Sequence, residues 1–440
     1  SFPTRRSSDL IEASSEEAFA AGGGEDARTI GAVIATLRRL DRSALAVQGP
    51  PGTGKTYLAA RVIRTLVERD GWHVGVVAQS HRVVENVLEG VVAAGLSPMQ
   101  VAKVPQGGKL QEGEPEPSFT VLGNNGHARF VADQREAGRG SVIGGTAWDF
   151  SNEARVPRGS LDLLVIDEAG QFSLAPTIAA SVAAQRLLLL GDPQQLPQVS
   201  QGSHPEPVDS SALGWLLGEH ETIAEGKGYF LEETRRMRPE LADVVSELAY
   251  EGRLHAHPSA SLREVTRAGR AGLVWHSVEH FGNSTSSVEE AAEVVRIVQQ
   301  SLRGSLTESG ETPRALHQDD VIAVAAYNAQ VECLHEALSA AGLGQIRVGT
   351  VDKFQGQEAA IAIVSLAASS GDDVPRGLDF LLMRNRLNVA ISRAQWAAHL
   401  VSSARLGEGL PHTAEGVAAL SGYLRLLERG TAGTRAAELS

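Results

Sequence analysis

Short runs of apolar residues alternate along this chain with stretches in which apolar residues recur every three or four positions. The runs predict buried strands and the stretches predict helices, an alternation that is typical of parallel α/β sheets. Expected strands in the first half are Leu45–Gln48, His73–Ala78, Val142–Thr146, Leu161–Ile166 and Arg186–Leu190. Expected strands in the second half are Gly272–His276, Val321–Ala325, Arg347–Thr350, Ile361–Leu366 and Ala398–Val401. The pattern predicts two α/β domains in tandem.

A length of 440 residues suits two domains of ordinary size. Residues 1–24 are rich in Ser, Ala and Gly, and we interpret them as a disordered or non-native lead-in. The first domain is expected over residues 25–218, with a small insertion near residues 100–140, and the second over residues 219–430. Residues 431–440 are expected to be a tail. No apolar run reaches the length of a membrane span, so no membrane partner is expected.

A glycine-rich loop directly follows the first expected strand and opens a helix. Its residues are Gly49, Pro50, Pro51, Gly52, Thr53, Gly54, Lys55 and Thr56. Glycines let backbone N–H groups wrap phosphates, and the helix N-terminus adds its dipole. Lys55 is expected to reach the β- and γ-phosphates, and the Thr56 hydroxyl to bind Mg²⁺. The loop predicts ATP and Mg²⁺ as cofactors.

Two carboxylates, Asp167 and Glu168, follow the buried strand that ends at Ile166. In combination with a phosphate loop, Asp167 is expected to hold Mg²⁺ and Glu168 to polarise the attacking water. A further motif, Gly191-Asp-Pro-Gln-Gln-Leu196, follows the next strand. Gln195 is the amide expected there to sense the γ-phosphate. A stiff polar turn is the alternative for this last motif.

In this order, the motifs resemble those of superfamily 1 helicases of the 5′-to-3′ branch, the group with the nonsense-decay and Okazaki-maturation helicases. The second half continues the match in Thr234–Pro239, Val351–Glu358 and Leu387–Ala394. More narrowly, the chain looks like the helicase half of bacterial proteins that also carry a RecB-like nuclease domain. The resemblance covers roughly residues 44–402 and implies two tandem RecA-like P-loop NTPase domains with parallel sheets.

The resemblance also implies roles for residues of the second half. Arg236 and Arg393 are the arginines expected on the γ-phosphate, Glu358 the acceptor of a ribose hydrogen bond, and Gln355 the link to the nucleic acid. Two positions depart from the family. Thr29 stands where relatives have a Gln that reads adenine. Arg235 replaces the aromatic residue that stacks on adenine, although a guanidinium can also stack on a base.

Small polar residues at strand ends are candidates for contacts with a nucleic-acid backbone. They are Ser80 and His81 after the second expected strand, Thr146 after the third, and Thr350 in the second domain. Ordinary strand-to-helix turns are the alternative for Ser80 and His81. Trp148 is a candidate platform for base stacking, with a partly buried core position as its alternative.

A net charge of −13 argues against nucleic acid as a partner, but only five of the 40 basic residues are lysine. Arginine suits phosphate recognition, so a local basic channel is compatible with an acidic average. The single cysteine, Cys333, excludes an internal disulfide and fits the cytoplasm. The resemblance to bacterial nuclease–helicase proteins implies a bacterial source.

The motifs therefore predict an ATP hydrolase, and the resemblance implies that it moves 5′ to 3′ along single-stranded nucleic acid and unwinds duplexes. DNA is favoured over RNA, a nuclease domain or subunit is an expected partner, and a monomer is favoured. The strand-gripping barrel insertion of relatives has no room before Ala44. A translocase or remodelling ATPase that does not unwind, and an inactive nucleotide-gated binding module, remain alternatives.

Overall fold

The computed structural model describes residues 27–110, 115–198, 204–205, 207–308 and 310–437. The lead-in expected at residues 1–24 lies outside them. The chain divides into two compact units. The first comprises residues up to Pro50 with Gly54–Pro193 and Pro197–Leu231, and the second comprises Glu232–Ser440 with the short segments Pro51–Thr53 and Gln194–Leu196.

The first unit alternates strands with helices along the chain. Its elements are α1 (Ala27–Arg39), β1 (Ala44–Gln48), α2 (Lys55–Asp70), β2 (His73–Val77), α3 (His81–Ala93), β3 (Val101–Lys103), β4 (Thr120–Val121), α4 (His127–Glu136), β5 (Ser141–Gly145), α5 (Ala147–Ser151), β6 (Leu163–Ile166), α6 (Leu174–Ser181), β7 (Leu187–Gly191), α7 (Ala212–Leu217) and β8 (Gly228–Phe230).

Within the described residues, the strands of the first unit form one parallel sheet in the order β4-β3-β5-β2-β6-β7-β1-β8. Alternate side chains of each strand enter cores on opposite faces, because successive residues of a strand point to opposite sides. In β7, Leu188 and Leu190 pack with α1, α2 and α3. Leu187 and Leu189 instead pack with α4, α5, α6 and α7. Both faces of the sheet are covered, which is why its strands are apolar throughout.

The second unit repeats this architecture. Its elements are β9 (Glu233–Thr234), α8 (Pro239–Ala249), β10 (His255–Ala256), β11 (Glu264–Val265), β12 (Gly272–Ser277), α9 (Val288–Ser301), β13 (Ser305–Thr307), β14 (Arg314–Ala315), β15 (Val321–Ala325), α10 (Asn328–Ala340), β16 (Arg347–Thr350), β17 (Ala359–Ser365), α11 (Leu378–Leu381), α12 (Arg384–Ile391), β18 (Ala394–Ser402) and α13 (Ala414–Ala437).

The main sheet of the second unit is parallel and has the order β12-β18-β17-β15-β16. Helices α9 and α10 pack on one face, where Val294 and Leu334 meet Ile361 of β17. Helix α13 anchors to the sheet through the buried Tyr423, whose hydroxyl lies 2.8 Å from Oγ of Ser402. This helix continues to Ala437, into the segment expected to be a tail.

The prediction of two tandem α/β domains with parallel sheets is confirmed, and each expected strand has a counterpart within a few residues. Short strands that the pattern did not indicate complete the sheets. Strand β8 pairs with β1, so the division between the units falls after Leu231 rather than after residue 218. Strands β3 and β4 lie inside the segment expected to be a small insertion and extend the first sheet. Among the described helices, none has the length and apolar character that crossing a bilayer requires.

Candidate functional site

The phosphate loop joins β1 to α2 at the carboxyl edge of the first sheet. Gly52 and Gly54 have φ angles of 76° and 82°, in the left-handed region that glycine adopts without strain. The N–H of Gly49 donates to the Gly191 oxygen at 2.9 Å, which fastens the start of the loop to β7. The loop therefore has the backbone of a phosphate-binding turn, with a helix N-terminus behind it.

Lys55 and Thr56 occupy the first turn of α2. The Nζ of Lys55 donates to the Gly49 oxygen at 2.6 Å, so the ammonium lies across the mouth of the loop. Thr56 is exposed, and its hydroxyl is accessible for a ligand. Their contacts with phosphate and metal stay predictions.

Asp167 and Glu168 follow β6 at the same edge of the sheet. The backbone N–H of Asp167 donates to the Val77 oxygen at 2.9 Å, and the Glu168 N–H donates to Oδ1 of Asp167 at 2.9 Å. Burial raises the pKa of Asp167 and the Glu168 carboxylate raises it further, while the Glu168 N–H and Lys55 oppose the rise. Lys55 is thus close enough to Asp167 to act on its charge, which joins the two motifs in one site.

Glu168 has two features that its hydrogen-bonding neighbours do not explain. Its φ of 53° lies in the left-handed region, which is uncommon for a residue other than glycine. Its Oε2 is buried and has no hydrogen-bond partner among the described residues. A buried oxygen without a donor is costly to keep, and such strain concentrates at functional sites. The carboxylate is available to accept a proton or to orient water.

The oxygen donors in this site fit a magnesium ion. Mg²⁺ is bound by carboxylate and hydroxyl oxygens with few protein ligands, the rest being phosphates and water. Asp167 supplies a buried carboxylate and Thr56 an accessible hydroxyl. The described residues contain no cluster of three or more His, Cys, Asp or Glu side chains suited to a metal.

Gln195 is buried and follows β7 in the Gly-Asp-Pro-Gln-Gln-Leu motif. The start of that motif packs closely on the turn Asp167–Gly170. A Cβ atom at Gly170 would collide with the backbone oxygen of Asp192. Gly170 therefore permits the contact between the two strand ends. The segment Gln194–Leu196 belongs to the second unit.

Arg236 and Glu358 form an ion pair in the second unit, 2.5 Å between Nε and Oε2. Gln395 donates to the other Glu358 oxygen at 2.9 Å. Burial alone would raise the pKa of Glu358, but the charge and hydrogen bond of Arg236 and the bond from Gln395 hold it below its ordinary value. The structure brings together the residues expected to meet the γ-phosphate and the ribose. The sequence motifs did not indicate that Gln395 is part of this group, although it directly follows Ala394, where the last motif ends.

Arg393 is almost fully buried, with 2% of its surface exposed. Its Nε donates to the Val389 oxygen at 3.0 Å and its NH1 to the Gln357 oxygen at 3.2 Å. The guanidinium is thus held by backbone carbonyls of its own unit. Arg235, one residue before Arg236, is half-buried, and so is Thr29 in the first turn of α1.

The expected strand-contacting residues of the first unit lie at the carboxyl ends of β2 and β5, which are neighbours in the sheet. Ser80 caps α3, and its Oγ accepts from the Val83 N–H at 3.3 Å. Thr146 caps α5, where its hydroxyl donates to Asp149 at 2.8 Å. Trp148 is 82% exposed, which excludes a core position. In the second unit, Thr350 ends β16 and Gln355 lies in the following turn, both half-buried.

His81 contacts a residue that the sequence did not indicate. Its Nδ1 lies 2.9 Å from Nζ of Lys103, which is buried and also pairs with Glu85 at 3.0 Å. The sequence feature that could have indicated this contact is a lysine at the end of a short apolar run, Val101–Lys103.

Known proteins similar to this chain indicate the family to which the site corresponds. Two family models, each described as an AAA domain, match residues 31–212 and 212–405. The DNA replication ATP-dependent helicase/nuclease of Gallus gallus is 26% identical over 366 residues, covering 81% of this chain and 34% of that protein. Regulator of nonsense transcripts 1 of Caenorhabditis elegans is 27% identical over 418 residues, covering 83% of this chain and 37% of that protein.

The two AAA-domain matches and these relatives support a superfamily 1 helicase of the 5′-to-3′ branch. It spans about a third of the length of these relatives. Among solved structures, the helicase nonstructural protein 10 of an arterivirus, in complex with DNA, aligns with a TM-score of 0.45 and 15% identity, covering 86% of this chain and 63% of that one. The narrower similarity to bacterial nuclease–helicase proteins stays a prediction.

Proposed function

We propose that this superfamily 1 helicase chain hydrolyses ATP in response to single-stranded nucleic acid and uses the energy to move 5′ to 3′ and to separate duplexes. The observation that carries the proposal is the site at the carboxyl edge of the first sheet. There a phosphate loop with Lys55 lies near Asp167 and a Glu168 carboxylate whose buried oxygen has no partner among the described residues. ATP and Mg²⁺ are the nucleotide and the cation that these groups suit.

Each residue has a distinct part in the proposed hydrolysis. Backbone N–H groups of the loop and the Lys55 ammonium bind the phosphates, and Thr56 and Asp167 hold Mg²⁺. Bound there, the cation would offset the charge of the phosphate oxygens. Glu168 orients the attacking water and accepts its proton. Gln195 senses the γ-phosphate, while Arg236 and Arg393 stabilise the charge that spreads over the phosphoryl oxygens in the transition state.

The nucleic acid is proposed to contact both units through its backbone. Ser80, His81 and Thr146 are the donors in the first unit, and Thr350 and Gln355 are those in the second. Trp148 offers an exposed indole on which a base can stack. The relative from Gallus gallus is named for DNA replication, and we favour DNA as the substrate here. A nuclease domain or subunit is the partner that the same resemblance favours.

A translocase that does not separate duplexes is the second candidate function. In the described residues between β3 and β5, the chain forms only the short strand β4, the helix α4 and irregular turns. That segment offers no strand-gripping barrel, and duplex separation needs a firm hold on one strand. The inactive binding module is less favoured, because Lys55, Asp167 and Glu168 are all in place.

The test is the ATPase rate of the purified chain with single-stranded DNA, with single-stranded RNA and with neither, beside a fluorescent assay of duplex separation. We expect strong stimulation by single-stranded DNA and separation of a duplex with a 5′ overhang. Stimulation without separation supports the translocase. No turnover with any nucleic acid contradicts ATP hydrolysis and supports the binding module.

A further inference from the structure

Lys103, at the end of β3, is buried within the first unit with only 1% of its surface exposed. Its Nζ meets three acceptors: Nδ1 of His81 at 2.9 Å, Oε1 of Glu85 at 3.0 Å and the Val104 oxygen at 3.3 Å. An ammonium group has three N–H donors and no acceptor. These contacts therefore use all of its donors and fix the cation in place.

This arrangement decides which nitrogen of His81 carries the proton. Because the Lys103 ammonium can only donate, Nδ1 of His81 must accept, and a neutral ring then has its proton on Nε2. Burial lowers the pKa of His81 and Lys103 lowers it further, against Glu85 and Asp149, which raise it. The ring is held neutral near neutral pH. Its Nε2–H has no hydrogen bond to any other residue in the described part of the chain.

The imidazole is accessible from outside the unit. His81 begins α3 directly after the carboxyl end of β2, and it is only half-buried. With Lys103 and Glu85 it lines a cavity of about 360 Å³. A group that enters this cavity from solution can therefore reach the imidazole, whereas the three N–H donors of Lys103 are already used.

We propose that Lys103 and Glu85 are positioning residues that hold His81 as a neutral Nε2–H donor to the phosphate backbone of single-stranded nucleic acid. The inference rests on the proposed function, in which His81 contacts the strand. A lysine is normally a phosphate ligand itself, but here it acts through the imidazole. Because the proton stays on Nε2, the affinity of this contact for the strand should change little with pH near neutrality.

The charges around His81 make the proposal testable. Lys103 faces it from β3, Glu85 from its own helix α3, and Asp149 from α5. In Lys103→Met the two carboxylates stay while the cation is gone, so the pKa of His81 rises and the ring gains a proton as the pH falls. A charged donor binds phosphate more strongly than a neutral one, by about fivefold in affinity.

The experiment measures the affinity for a short fluorescent oligothymidine by anisotropy at about pH 8 and about pH 6, on either side of the ordinary histidine range. For the wild type we expect a smaller change than for Lys103→Met, because burial and the Lys103 cation lower the pKa of His81. Lys103→Met should bind about fivefold more tightly at the lower pH. The double variant Lys103→Met, His81→Ala should lose that gain. Lys227→Met is the matched control, because Lys227 is exposed and precedes β8 at the opposite end of the same sheet.

Other outcomes separate the inference from the proposed function. If the wild type binds no single strand, the proposed function itself fails. If it binds and His81→Ala weakens binding, yet Lys103→Met keeps the wild-type pH profile, the positioning role is overturned alone. A second measurement uses the wild type and needs no variant in the core. Ring ¹⁵N NMR reports which nitrogen of His81 carries the proton, and His81→Ala serves to assign its signals. A His81 that carries its proton on Nδ1, or is charged at neutral pH, overturns the inference as well.

Discussion

Nε of Arg236 lies 2.5 Å from Oε2 of Glu358, so two residues expected to hold different ends of one nucleotide are bound to each other. Gln395 donates to the second carboxylate oxygen at 2.9 Å and completes the group. The position of the arginine is therefore linked to that of the carboxylate. A change at either residue should affect both the ribose contact and the phosphoryl contact.

Glu358→Ala should raise the KM for ATP and lower kcat together. The KM rises by about tenfold or more, because a hydrogen bond from the ribose to the charged carboxylate is lost. The kcat falls because Arg236 loses the partner that orients it. Steady-state kinetics on saturating single-stranded DNA give both values. Glu358→Gln, which keeps an acceptor oxygen, should show the smaller rise in KM, and an unchanged kcat in Glu358→Ala would contradict the link.

Arg393 and Arg236 should differ in how their removal affects stability. Arg393→Ala leaves the carbonyls of Val389 and Gln357 without these donors in a buried place, which costs about 1–3 kcal/mol for each. Arg236→Ala removes an ion pair with Glu358, whose carboxylate is half-exposed, and should cost less free energy of unfolding than Arg393→Ala. Urea unfolding measures this, and the ATPase rate should fall in both variants. Equal stability of the two would contradict an anchored Arg393.

Trp148→Ala should weaken binding to single strands without changing the stability of the fold. The indole is 82% exposed, so its removal leaves no cavity. Loss of one stacked base costs about 1–3 kcal/mol of binding free energy. Anisotropy with an oligothymidine measures the loss, and Trp148→Phe should recover part of it. Wild-type affinity in Trp148→Ala would remove the stacking role.

The second unit should lose stability in mild acid through His399. Its Nδ1 lies 2.9 Å from Nε2 of His276. Burial, with the nearby His276, Arg296 and Arg270, lowers the pKa of His399 from 6.5 to about 3. The unfolded chain therefore takes up the proton first, and stability is lost as the pH falls below about 6.5, by at most about 1.4 kcal/mol per pH unit.

Urea unfolding at neutral and mildly acidic pH, followed through the tryptophans, checks this prediction. His399→Gln should flatten the loss of stability, whereas His412→Gln, at an exposed position, should follow the wild type. A wild-type stability that stays constant down to about pH 4 would show that His399 does not control it.

Much of the fold could be predicted because its main strands are buried on both faces and are apolar throughout. Leu187–Gly191 and Val321–Ala325 are clear examples. The short strands could not be predicted in the same way. Thr120–Val121 has two residues and is partly exposed, so pairing with β3 rather than its own pattern makes it a strand. Gly228–Phe230 likewise depends on its neighbour β1.

The site could be predicted where chemistry requires a run of particular residues at a strand end, as in the phosphate loop and at Asp167 and Glu168. Contacts between distant segments were not visible. Lys103 lies 22 positions from His81, and nothing local indicates that the two side chains meet. The left-handed φ of Glu168 was equally hidden, since no residue pattern around it indicates that conformation.

Steady-state ATP hydrolysis by Lys55→Ala, beside the wild type and with saturating single-stranded DNA, tests the central claim most directly. Lys55 is the cation of the loop that we propose binds phosphate, and it is half-buried, so its removal should not unfold the unit. We predict that the wild type is strongly stimulated by the DNA, while the variant keeps its thermal melting temperature and shows no stimulated turnover. Near-normal stimulated hydrolysis by Lys55→Ala would contradict the site and the function built on it.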